Sequence, residues 1–428
     1  MTDLAPTIES LALSLGSRAV ALLDALALVT DEPGRVTRTY LSTAHARALD
    51  LVGDWMRERD LAVTLDAVAT LRGRRPADFD PDHARTLLIG SHIDTVIDAG
   101  SLDGCLGVVA GLIAAEEIDR RGLKLPFALE ILAFGDEEGV RFPTALSSSS
   151  AATGTFRREW LAAADRDGVT LDEALRRFGR DPEAIPAARI DPTGVVGWLE
   201  VHIEQGPRLE HWDLPLGVVT SIAGQSRFGF TLVGTAGHAG TVPMDLRRDA
   251  LAGLAEIVLA VERIGRQGTG GLVATVGRVA VSPGAGNTVP GRVEATLDVR
   301  AGSDAPRLVA IDRIGHEARR IAERRGLDFT LERFVDVPTC PMDADLQEAF
   351  ARAVGSLGLD TRRLTSGAGH DAMAMARTMP TAMLFVRSRD GISHNPREWS
   401  SPRDIGLAVE ALIRCIVDLA EREARPAP

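Results

Sequence analysis

Two short apolar runs bounded by glycine constrain this chain more than any other feature: residues 86–91 (TLLIGS) and 128–135 (ALEILAFG). Each is too short for a helix and lacks the apolar–polar alternation of a half-exposed strand, so each reads as a strand covered on both faces. The stretch between them from Val108 to Arg120 has a helix-like pattern. Buried strands alternating with helices predict a mostly parallel sheet, an α/β core.

The middle of the chain follows another pattern. Strand-like segments at 228–234, 272–281, 292–300 and 329–335 enclose helix-like segments at 251–265 and 306–325. This β-α-β-β-α-β order is the split βαβ of ferredoxin-like domains. At 428 residues the chain is also too long for one ordinary core. The reading is a catalytic α/β domain in two segments, 1–213 and 330–428, with an inserted domain at 214–329. Residues 147–150 (SSSS) are taken as a loop.

Composition narrows the function classes. Apolar residues are 45% and charged ones 25% of the chain, the balance of a globular protein. Lys and Arg number 48 against 60 Asp and Glu, a net charge of −12, which works against nonspecific binding to a phosphate backbone and so against a nucleic-acid partner. Cys105, Cys340 and Cys415 match neither a disulfide framework nor a zinc knuckle, which fits a reducing compartment. Glu9 and Asp24 interrupt the apolar N-terminal stretch, which lacks a basic start followed by an unbroken apolar run. The expectation is a cytoplasmic enzyme that begins with an amphipathic helix and has no membrane association.

The chemistry-bearing residues fall at the ends of these segments. Ser91-His92-Ile93-Asp94-Thr95 directly follows the first apolar run, and Leu102-Asp103-Gly104 lies in the next turn. Residues two apart project to the same side of a strand, so Asp94 is expected to hydrogen-bond the His92 ring and fix its tautomer. Asp103, from the following loop, is placed to bridge two ions. Asp136-Glu137-Glu138-Gly139 closes the second run. Consecutive carboxylates at a buried strand end are costly unless a cation lies between them or one is protonated. His202 sits in the alternating segment LEVHIEQG, and His394 in the Gly- and Pro-bounded GISHNP. Taken singly, each motif has a plainer explanation, a structural histidine or a solvated acidic turn. Together His92, Asp103, Glu138, His202 and His394 make a His and carboxylate set suited to two divalent ions such as zinc or manganese. Of the remaining histidines, His370 in a Gly-rich loop is a candidate to line the site; His45, His83, His211 and His316 are read as structural or exposed.

In order and spacing, SHIDTV, LDG, GDEEGVRFP, EVHIEQGP, GTAGHAGTVPM, SGAGHDAM and GISHNP resemble the amidase, hydantoinase/carbamoylase branch of the metallo-aminopeptidase and deacylase superfamily. That branch holds allantoate amidohydrolases, N-carbamoyl-L-amino-acid hydrolases and β-ureidopropionases. The resemblance spans about residues 38–396 and implies a mixed-sheet α/β/α catalytic domain with an inserted ferredoxin-like dimerisation domain. It also implies that His92 and His202 hold one ion, Glu138 and His394 the other, and that Asp103 bridges them. Glu137 matches the general base, and His238 the histidine that reaches the partner subunit's active site in a homodimer. Gln205, Asn287, Arg300 and Gly369 match substrate-contacting positions. The substrate implied is a small ureido carboxylate, first allantoate, giving ureidoglycine, ammonia and carbon dioxide. An N-carbamoyl-L-amino acid or β-ureidopropionate is the alternative, and a metallopeptidase, a deacylase or a catalytically silent relative are further ones.

Overall fold

The computed structural model of the chain describes residues 7–424. These residues form two compact units. One runs through Thr220 and takes up Met342–Leu364 and the chain from His370 onward; the other is Ser221–Pro341 with Thr365–Gly369.

In the first unit the apolar runs are strands, Thr86–His92 and Ala128–Phe134, with all seven positions of each buried. They lie side by side and parallel, and Val195–Ile203 and then Thr381–Val386 extend the parallel ladder. The edges are antiparallel: Leu71–Arg75 and Ala62–Leu65 beyond Ala128–Phe134, and Leu216–Ile222 beyond Thr381–Val386. The helix Cys105–Arg120 is buried almost all round, as the continuous apolar sequence of its first turns requires. It packs on Thr86–His92 and on the long helix Pro402–Glu423. The four parallel strands share a direction, so their carboxyl ends open at one edge of the sheet. In sheets of this kind that edge is where sites form.

The N-terminal helix Ile8–Ala27 is long and apolar enough to cross a membrane by length and composition alone. Here one face packs on Pro402–Glu423 through glycines: a Cβ on Gly406 would collide with the Ala12 carbonyl, and one on Gly16 with the Pro402 carbonyl. This close approach gives those two glycines a packing reason within helices, where glycine is otherwise unfavourable.

The second unit has the expected strand and helix order. Its four-stranded antiparallel sheet runs Asp328–Val337, Gly224–Val233, Arg292–Ala301, Val273–Ser282. Helices Ala250–Gln267 and Asp304–Arg324 cover one face with a core of their own, including Phe228, Leu232, Leu254, Val293 and Ile314.

Three expectations are corrected. The second unit starts at Ser221 rather than 214, because Leu216, Gly217 and Val218 pair with Thr381–Val386 in the first sheet. It ends at Pro341 rather than 329, because Asp328–Val337 pairs along Gly224–Val233. Residues 147–150 are not a loop but the start of the buried helix Ser147–Ala152. Serine tolerates burial there because its hydroxyls bind the neighbouring acidic turn: Ser147 donates to Asp136, and Ser148 donates to the Gly135 carbonyl and accepts from the Gly135 N–H.

Candidate metal centre

Five segments of the first unit deliver side chains to the carboxyl edge of its sheet. His92 is the last residue of Thr86–His92, and His202 lies one residue before the end of Val195–Ile203. Glu137 and Glu138 follow Ala128–Phe134 in a tight turn begun by Asp136 in the left-handed region. His394, also left-handed, comes from the loop after Thr381–Val386. Asp103 immediately precedes Gly104, whose positive φ starts the helix Cys105–Arg120. A side chain on Gly104 would run into the His92 ring, so glycine is needed both for its φ and for space.

The two buried imidazoles present the same nitrogen. His92 donates from Nδ1 to the Asp94 carbonyl at 2.9 Å, and His202 donates from Nδ1 to the Ile203 carbonyl at 2.9 Å. Each Nε2 is thereby left to serve as a ligand atom, that of His202 also accepting from the Gly104 N–H at 3.3 Å. The first of these bonds corrects the expected role of Asp94. Its main-chain oxygen, not its carboxylate, fixes the ring. The Asp94 carboxylate lies 3.7 Å from Nδ1 and accepts instead from the N–H groups of Glu137 and Glu138, both at 3.3 Å. Asp94 thus orients the acidic turn and the histidine together.

Asp103 has a different neighbourhood on each oxygen. Oδ1 lies 3.2 Å from His202 Nε2 and 3.8 Å from His92 Nε2. Oδ2 lies 3.2 Å from His394 Nε2, which is itself 3.6 Å from Glu138. Glu137 sits 3.8 Å from His92 Nε2. Two donors each about 2.1 Å from a tetrahedral ion are about 3.4 Å apart, so these separations suit a pair of ions. The donors fall into four groups: His92, Asp103 and His202; Asp103, Glu138 and His394; His92, Glu137 and Glu138; and Glu200, His202 and His370. Asp103 belongs to two of them, as do His92, His202 and Glu138.

Charge makes the same case. Among the described residues, no Lys or Arg hydrogen-bonds or pairs with Asp94, Asp103, Glu137 or Glu138; their ionic partners are histidines alone. Burial, with neighbouring carboxylates, pushes Glu137 well above the usual carboxylate range, and burial pushes Glu138 up to about 7. Burial works against a proton on His92, yet Glu137, Asp94, Glu138 and Asp103 outweigh it and hold the ring well above its usual pKa. The hydrogen bond to Asp103 lifts His394 to about 9. Protons gathered in this way are those that metal binding displaces. The residues present fit two divalent ions.

Other residues complete the surroundings. Gln205, left-handed like His394, donates from Nε2 to Asp103 Oδ2 at 2.8 Å. His370 is buried with its ring edge-on to His202, centroids 4.4 Å apart. Glu200, Ser393 and Glu398 were not singled out from sequence. Buried Glu200 accepts from Ser91, Trp198 and the Ala372 N–H. Glu398 and Ser393 contact the Asp103 loop. Nothing local marks such residues; only their closeness in sequence to His202 and His394 could have drawn attention.

The other expected residues lie in the second unit. His238 pairs with Thr288 in a two-residue ladder, and Asn287 accepts the Ala239 N–H at 2.9 Å, so His238 and Asn287 are neighbours. His238 is exposed, and its Nδ1 accepts from the Gly240 N–H. Arg300 forks onto Asp298, Nε to Oδ1 at 3.0 Å and Nη2 to Oδ2 at 3.1 Å, while Nη1 donates to the Gly367 carbonyl at 2.8 Å. Gly369 is exposed in the same segment as Gly367.

Known proteins are similar to this chain over most of its length. An N-carbamoyl-L-amino acid amidohydrolase of Geobacillus stearothermophilus is 40% identical over 91% of this chain and 95% of its own. An allantoate deiminase of Arabidopsis thaliana is 37% identical over 93% of this chain and 81% of its own. The crystal structure of a hydantoinase/carbamoylase family amidase from Burkholderia multivorans superposes with a TM-score of 0.88 at 34% identity, covering 96% of this chain and 98% of that one. The family model of peptidase family M20/M25/M40 matches residues 88–418. The chain belongs to that family.

Proposed function

We propose that this chain is a dinuclear metal-dependent amidohydrolase that cleaves the ureido C–N bond of a small carboxylate, with allantoate as its substrate and ureidoglycine, ammonia and carbon dioxide as products. The observation that carries the reading is the Asp103 carboxylate shared between a His92/His202 donor pair and a Glu138/His394 donor pair, with Glu137 beside them. Relatives named for ureido substrates over nearly the whole chain favour this bond over a peptide bond. A second reading, an N-carbamoyl-L-amino acid as substrate, is favoured by the 40% identity to the Geobacillus enzyme.

His92 and His202 would hold one ion, Glu138 and His394 the other, and Asp103 both; manganese and zinc suit these ligands. When bound, the ions supply Lewis acidity that polarises the carbonyl and acidifies the attacking water. Glu137 accepts the proton that this water loses as it adds to the carbamoyl carbon. It then passes that proton to the departing nitrogen as the C–N bond breaks. The released carbamate falls apart to ammonia and carbon dioxide.

The second unit would bring the remaining groups. His238, its Nδ1 already accepting from Gly240, keeps Nε2–H free to donate to the developing oxyanion. In this reading it does so from the partner subunit of a homodimer. Self-association is supported by exposed apolar residues on the helix Ala250–Gln267, Leu251, Val258 and Leu259, beside the edge strand Val273–Ser282 with Val273 and Val279 exposed. Asn287, Arg300 and Gly369 of the second unit, with Gln205 of the first, would contact the substrate, Arg300 by pairing with the substrate's carboxylate.

Steady-state ammonia release from the manganese-loaded enzyme separates the substrates. Allantoate is expected to lead N-carbamoyl-L-amino acids and β-ureidopropionate in kcat/KM by about a hundredfold or more, about 2.7 kcal/mol of transition-state preference. A carbamoyl amino acid in the lead would replace allantoate with the second reading, and activity on dipeptides alone would remove both. Glu137→Gln is expected to keep its metal and lose about a thousandfold or more in kcat; turnover near wild type would disqualify Glu137 as the base. His238→Ala is expected to lose about a hundredfold or more in turnover while staying dimeric. Mixed with a His202→Ala chain, it should regain part of the activity, because each mixed dimer retains one intact composite site. No recovery in verified mixed dimers contradicts a site shared between subunits.

A further inference from the structure

The loop that carries His394 also carries Glu398, whose carboxylate reaches back to the other side of the centre. Glu398 is 7% exposed. Its Oε1 accepts from the main-chain N–H groups of Leu102 at 2.9 Å and Asp103 at 3.1 Å, and its Oε2 accepts from the Ser393 hydroxyl at 2.8 Å. The fit is close, since a Cβ on Gly100 would overlap the Glu398 side chain. The Ser393 oxygen is also 2.8 Å from Asp103 Oδ2. One hydroxyl has one proton, so Ser393 lies between two carboxylates and donates to one at a time.

Glu398 therefore ties the backbone under Asp103 to the residue next to His394, across 295 positions of sequence. Its own loop is braced: Glu398 N–H donates to the Asn395 carbonyl at 3.0 Å, Arg389 N–H to the Trp399 carbonyl at 2.9 Å, and Ser400 to the Arg387 carbonyl at 2.7 Å. A fixed anchor is needed on this side, because His394 is half-exposed and left-handed while Asp103 is buried. A buried acid that merely capped the loop would explain the two backbone bonds. It would not explain a second oxygen directed at the Ser393 hydroxyl that also faces Asp103.

We propose that Glu398 is a positioning residue of the metal centre: it fixes Asp103 and His394 relative to each other so that both can serve the same ion. The inference rests on the metal-centre reading above. Its mechanism is hydrogen-bond acceptance rather than charge. A glutamine at this position could accept both N–H groups through Oε1 and donate through Nε2 to Ser393, whose proton would then go to Asp103.

The test is titration of the metal-free full-length chain with Co2+, followed by visible absorption. Wild type is expected to bind saturably with d–d bands. Glu398→Ala is expected to bind about tenfold or more weaker with shifted bands, while thermal unfolding of the metal-free protein checks that it is folded. Glu398→Gln is expected to return to within about threefold of wild type. A folded Glu398→Ala that binds Co2+ like wild type overturns the proposal, as does a Glu398→Gln as weak as Glu398→Ala. If Glu398→Ala does not fold, Ser393→Ala carries the test: binding about threefold weaker or worse upholds the proposal and unchanged binding overturns it. Absence of Co2+ binding by wild type is a separate outcome that removes the metal centre, and this inference with it.

Discussion

The sharing of one buried carboxylate, Asp103, between two sets of donors is the interaction on which the site depends. Oδ1 faces His202 and His92; Oδ2 faces His394, with Glu138 behind it. Desolvated carboxylates without Lys or Arg partners are unfavourable unless cations or protons compensate them. In the metal-free chain protons do so, as burial pushes Glu138 to about 7 and the Asp103 hydrogen bond lifts His394 to about 9. The architecture serves this cluster. Four parallel strands end together, Gly104 clears room for the His92 ring, and Asp94 holds the ring with its carbonyl and the acidic turn with its carboxylate.

Where residues act through their own strand, the sequence was informative. The apolar runs 86–91 and 128–135 read directly as buried strands, and the residues closing them, His92 and the 136–138 turn, were visible as unusual charges at strand ends. The β-α-β-β-α-β order of the second unit was equally plain from periodicity. Domain boundaries were less so, because Leu216–Ile222 and Asp328–Val337 have the same local pattern whichever sheet they join. Pairing across the sheet decides that, and it is a long-range property.

What could not be read was contact between loops. The 147–150 serines have the composition of a loop, and only the nearby Asp136 and Gly135 turn their hydroxyls into useful partners within a helix. Gln205 sits on Asp103 because its left-handed backbone turns it there. Arg300 lies as expected at the end of its strand, but Asp298, two residues before it, already fills the guanidinium fork. Any further anion at this guanidinium would have to compete with a carboxylate of the protein itself.

The account stands or falls on ions at Asp103. Crystals of the wild-type chain soaked in Mn2+ and measured at the manganese absorption edge would locate them directly. The account predicts two anomalous peaks per chain, one among His92, His202 and Asp103 and one among Asp103, Glu138 and His394. A single peak would contradict the paired centre, and no peak within reach of Asp103 would contradict the metal-dependent chemistry altogether.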